Sequence, residues 1–111
     1  MSMTYQWKAG FRAKGDPEIV GRELEAIQEE HGSIAPELVV DKAKDKASPL
    51  HGYFEWNNTT AANLYRVDQA RYLIRAIAVK IERDDDDPIV TRAFVEMKQE
   101  EAAGSYVSIA V

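Results

Sequence analysis

At Ile77 the apolar period of the chain changes from about 3.6 residues to about 2, and that switch constrains the fold more than any other feature. Upstream, in TTAANLYRVDQARYLIRAI (59–77), helical spacing puts Ala62, Tyr65, Ala70, Leu73, Ile74 and Ile77 within one half-turn. Asp68, Arg71 and Arg75 fall opposite. Asn57 or Asn58 is placed to cap this helix, which the pattern predicts over 57–77. Downstream, Ile77, Val79 and Ile81 alternate with Ala78, Lys80 and Glu82, which is a strand pattern. Asp84 to Asp87 followed by Pro88 cannot enter a sheet interior and reads as a solvated hairpin loop. IVTRAFVEMKQE (89–100) then gives a second strand with Ala93, Val95 and Met97 on one side. After the loop around EEAAG, SYVSIAV (105–111) gives a third, with Val107, Ile109 and Val111 on one side.

Two further helices precede the switch. Asp16 is an N-cap with Pro17 at the first helical position and Glu18 near the positive end of the dipole. Ile19, Val20, Leu24 and Ile27 form the stripe, and His31-Gly32 stops the helix, predicting residues 17–31. In SIAPELVVDKAKDK (33–46), Pro36 and Glu37 open a short helix with Val39, Val40 and Ala43 on one face, ending near Asp45. MSMTYQWKAGFRAKG (1–15) shows no clean period and reads as an arm: Trp7 and Phe11 dock on the core while Lys8, Arg12 and Lys14 stay in water. The expected fold is α+β, with three N-terminal helices of helix-turn-helix character followed by a three-stranded antiparallel β-meander. One domain spans 1–111, with the arm at 1–15, a helical part at 16–77 and an antiparallel part at 77–111. The alternation still running at Val111 points to a further C-terminal element.

SPLHGYFEWNN (48–58) is dense in aromatics because it turns the chain between a short helix and a long one. Such a turn needs large side chains to fill volume and a cap for the next helix. Leu50, Tyr53, Phe54 and Trp56 do the first; Asn57 or Asn58 does the second. An exposed aromatic platform for a base or a peptide is the sharper alternative, and packing outweighs it.

The chain has 111 residues and no cysteine, which excludes disulfides and thiolate metal sites. No stretch has the h-region of a leader or the roughly 18 apolar residues of a membrane span, so the expected location is the cytoplasm. His31 and His51 stand in separate loops without a ligand at i+3 or i+4, and the aspartate run lacks the glycine and spaced ligands of a calcium loop. There is no nucleophile motif or phosphate-binding glycine loop, and Glu55 near His51 is too common a pairing to mean a reaction. No metal, cofactor or catalytic residue is expected, and the protein reads as non-enzymatic.

The net charge of −5 is unevenly spread: residues 1–15 carry +3, 16–47 carry −5, 48–81 carry +2 and 82–111 carry −5. An acidic balance disfavours a generic polyanion binder, but a local basic surface is compatible with it. The third helix carries Arg66, Arg71 and Arg75 with Asn63, Gln69, Thr59 and Thr60, residue types that reach phosphates and base edges. With Lys8, Arg12 and Lys14 of the arm they make the candidate nucleic-acid site. Three helices and a hairpin are also the element order of a winged helix. The acidic tip at Asp84 to Asp87 opposes that reading, and Asp68 paired with Arg71 at i, i+3 would explain a plain solvated face. The alternative is an acidic protein-interaction module, an inhibitor of a host or defence protein or a virion-assembly component. It would present Glu23, Glu29, Glu30 and Asp84 to Asp87 to a basic partner. The exposed end of the sheet makes a homo-oligomer a further expectation.

DPEIVGRELEAI and GSIAPELVVDKAKDKASPLHGYFEWNNTTAANLYRVDQARYLIRAI, together residues 16–77, carry a family resemblance. A glycine before a helix start, an SPLH…FEW turn and an AA…YR…QAR.LI helix resemble small proteins encoded in bacteriophage and prophage genomes. TRAFVEMK and SYVSIAV are similar more loosely, and such proteins continue into a further helical segment. This chain departs at Ala35, where they carry a hydroxyl side chain, and at Asn57 and Asn58, where they carry acidic residues. The resemblance implies context, namely a bacterial host cytoplasm and a regulatory, adaptor, host-takeover or assembly role. It transfers no catalytic or binding residue.

Overall fold

In the computed structural model, which describes residues 2–11, 14–56, 62–97 and 104–109, the segment read as an arm is in part a strand. β1 (Ser2–Trp7) runs antiparallel to β2 (Ile77–Glu82), with Tyr5 opposite Val79 and Trp7 opposite Ile77. Met3, Tyr5 and Trp7 do alternate, but three apolar residues are a weak signal when the partner strand lies far away in sequence. β2 also pairs antiparallel with β3 (Ile89–Arg92), giving a sheet of order β1-β2-β3.

α1 (Pro17–His31) has the boundaries that its caps predict. Asp16 Oδ1 accepts from the Glu18 N–H at 2.9 Å, and Gly32, at φ 85°, donates its N–H to the Gln28 carbonyl at 2.6 Å. Val20, Gly21, Leu24 and Ile27 are the buried positions of α1. Gly21 is required: a Cβ there would run into the Tyr5 ring, so the glycine lets the helix lie directly on β1. α2 (Pro36–Ala43) buries Val39, Val40 and Ala43, and Ala35 supplies no side-chain cap.

α3 (Ala62–Ala76) passes straight into β2 at Ile77, where the period changes. Ala70, Leu73 and Ile74 are buried as the stripe requires, whereas Tyr65, assigned to that stripe, is 55% exposed and Val67 is buried instead. The expected caps Asn57 and Asn58 lie outside the described residues.

The meander is corrected in two ways. β1 precedes the helices, and the segment read as one second strand breaks at Ala93 into β3 and β4 (Phe94–Glu96). β4 pairs with β5 (Tyr106–Ser108) in a separate two-stranded sheet. Ala93, buried, joins the sheets by donating to the Ile77 carbonyl and accepting from the Ile109 N–H. Tyr106 and Ile34 exchange both backbone bonds, at 2.6 and 2.8 Å, tying β5 to the α1–α2 connection. Leu24, Ile34, Leu50, Ile74, Ile77 and Phe94 are fully buried, each worth about 1.5–3 kcal/mol relative to exposure.

The winged-helix expectation does not survive this topology, because α3 feeds β2 without a turn and β2 is the central strand. Among the described residues no helix is long and apolar enough to cross a membrane.

Candidate nucleic-acid interface

The aromatic turn after α2 is packing material. Leu50 and Phe54 are buried, and Tyr53 and Trp56 lie against the core. His51 stacks on Trp56 with ring centroids 4.9 Å apart, and its Nδ1 donates to the Ala43 carbonyl at 2.7 Å, since a carbonyl can only accept. Trp56 Nε1 in turn donates to the His51 carbonyl at 2.8 Å.

This turn also takes Arg66 out of the expected site. Arg66 is 7% exposed, its guanidinium lies 4.8 Å from the Trp56 ring centroid, and its Nε donates to the Glu55 carbonyl at 2.9 Å. A buried arginine so engaged holds the turn against α3 and is withdrawn from a ligand in solvent. Helical spacing sets Arg66 between Leu73 and Ile77, inside the apolar half-turn, and the Trp56 ring and the Glu55 carbonyl accommodate its guanidinium there.

The other cations of α3 remain on its outer side. Arg71 pairs with Asp68 at 2.8 Å, the i, i+3 pair the spacing predicts. Arg75, one turn on, donates its Nε to the Tyr106 hydroxyl at 3.2 Å. Lys8, just past β1, anchors its backbone N–H on the Ala76 carbonyl at 2.6 Å and holds its ammonium 5.7 Å from the Phe11 ring centroid. Lys8 and Arg75 therefore line one cleft of about 290 Å³, with Phe11, Glu96 and Tyr106. Arg92 of β3 lines it too, a cation the sequence reading left out because strand alternation alone does not say which sheet end faces a helix C-terminus. Among the described residues none of Lys8, Arg75 and Arg92 has a carboxylate within 4.0 Å, whereas Arg22, Lys42, Lys44, Arg71, Lys80 and Arg83 each do.

Lys14 lies elsewhere. It borders a second, larger cleft of about 510 Å³ with Tyr53, Tyr65, Gln69 and Tyr72. Burial, and secondly the Asp16 carboxylate, raises the Tyr53 hydroxyl above its ordinary value, so it is neutral across the physiological range. Phe11 of the first cleft and Tyr72 of the second are in ring contact, with centroids 4.8 Å apart. Arg12, Thr59, Thr60 and the side chain of Asn63 lie outside the described residues.

Of the acidic face, Glu23 is bound to Lys42 at 2.7 Å, while Glu29, Glu30 and Asp84 to Asp87 are exposed. Arg83 bonds the Asp87 carbonyl at 2.8 Å and closes the hairpin. No family model, curated protein or solved structure matches this chain.

Proposed function

We propose that the protein is a non-enzymatic, nucleic-acid-associated domain whose binding surface is the outer side of α3 together with the segment that follows β1. The observation that carries this reading is the convergence of Lys8, Arg75 and Arg92 from three elements on one cleft, without a carboxylate partner among the described residues. Three cations beside one carboxylate, Glu96, among the described lining residues leave the cleft net positive, and a phosphate ligand offsets that charge while releasing counterions from the nucleic acid. Arg71 extends the surface by one helical turn, and Phe11 and Tyr72 interleave it with rings. The resemblance to phage-encoded proteins agrees with a small regulatory role.

Fluorescence anisotropy of labelled nucleic acid at two salt concentrations tests this. Binding should weaken steeply with salt, and Arg75→Ala/Arg92→Ala should lower both the affinity and the salt slope. A double variant that binds as the parent does would end the reading.

An acidic protein-interaction module is the second reading, favoured by the exposed Asp84 to Asp87 beside exposed Ile89 and Val90. Retention of a basic partner by the parent, and its loss on replacing the four aspartates with asparagine, would support it over the first.

A further inference from the structure

The larger cleft is lined mainly by rings, and among its described lining residues one cation, Lys14, is balanced by one carboxylate, Asp68. Tyr53, Tyr65 and Tyr72 supply rings, Tyr65 and Tyr72 being 55% and 48% exposed, and Leu73 closes the apolar floor. Asp68 lines the same space, paired with Arg71. Gln69 accepts the Glu55 N–H at 3.1 Å with its carbonyl oxygen, which leaves its amide N–H groups for other acceptors. Asp68 spends one oxygen on Arg71, so a donor and an acceptor border the rings as the edge of a base requires. Phe11 of the cationic cleft packs on Tyr72 of this one with centroids 4.8 Å apart, so one ligand can reach from one cleft to the other, base on one side and phosphate on the other.

We infer that the Tyr53–Tyr65–Tyr72 cleft seats an unstacked base of a single-stranded nucleic acid whose phosphate backbone crosses the Lys8–Arg75–Arg92 cleft. This rests on the nucleic-acid reading above and names its ligand class. A duplex keeps its bases inside the stack and offers nothing to the tyrosines. Stacking on a tyrosine tolerates any base, so the preference is for the single-stranded state over a particular sequence.

The test compares a labelled oligothymidylate with a duplex of the same length, using the parent, Tyr65→Ala and Tyr65→Phe. Tyr65 is more than half exposed, so the variants should unfold at the parent's temperature, which a thermal scan checks. The single strand should bind more tightly than the duplex, Tyr65→Ala should lose about fivefold or more of that affinity with its salt slope unchanged, and Tyr65→Phe should keep it. Equal affinity for strand and duplex, or a Tyr65→Ala variant that binds like the parent, overturns the base seat. Salt-dependent binding that still depends on Arg75 and Arg92 would then leave the interface standing. No binding of either probe at low salt overturns both.

Discussion

β2 is one strand with two environments. Its first half, Ile77 to Val79, is buried beneath the helices, and its second half runs out to exposed Glu82 and the hairpin tip. The packed end has an N-capped α1, a glycine that admits Tyr5, and Leu24, Ile74 and Ile77 fully buried. At the other end Met3, Ile81 and Ile89 share a face by register, yet Met3 and Ile89 are 38% and 42% exposed. The alternation is the same in both places. The difference teaches that a period of about 2 reports which residues share a face and cannot report whether anything covers it.

The comparison predicts a gradient of mutational cost. Leu24→Ala at the packed end should destabilise by about 2–5 kcal/mol, as transfer and cavity costs add, and denaturant unfolding would read it. A loss under 1 kcal/mol would mean that the core collapses around the site and the two ends differ less than their burial suggests.

The next effect is reached with pH. The Tyr5 hydroxyl is raised well above its ordinary value, chiefly by burial and then by its hydrogen bond to the Glu25 carboxylate. A raised folded-state value favours the neutral form: stability is unaffected below the unfolded value of about 10 and falls as pH rises through and beyond it. Urea midpoints between pH 8 and pH 11 should therefore drop less in Tyr5→Phe than in the parent. Parallel profiles would show that the α1–β1 seam does not set alkaline stability.

The smallest change is expected at the overhanging end, where Ile89→Thr should stay within about 0.5 kcal/mol of the parent. A larger loss, accompanied by a fall in apparent mass on light scattering, would show that another copy covers this face.

Local chemistry made much of the fold legible. α1 follows from Asp16, Pro17 and Gly32, α2 from Pro36, the aromatic turn from its side-chain volume, and the break at residue 77 from the change of period. Of the candidate site, the Asp68–Arg71 pair was legible because it is a property of helix spacing alone. Arg66 was assigned to the site by residue type although helical spacing sets it inside the apolar half-turn, and its ring partner there, Trp56, belongs to another element. The cleft itself was hidden because Lys8, Arg75 and Arg92 stand far apart in the chain.

The sequence by itself determined the helices, the caps of α1, the hairpin and the packing role of the turn, since each rests on contacts within a few residues. Only the tertiary structure decided that β1 joins the sheet, that Ala93 divides a strand, and which cations face a ligand. Those outcomes depend on contacts between distant segments, which are selected by what the assembled core leaves unpaired or uncovered.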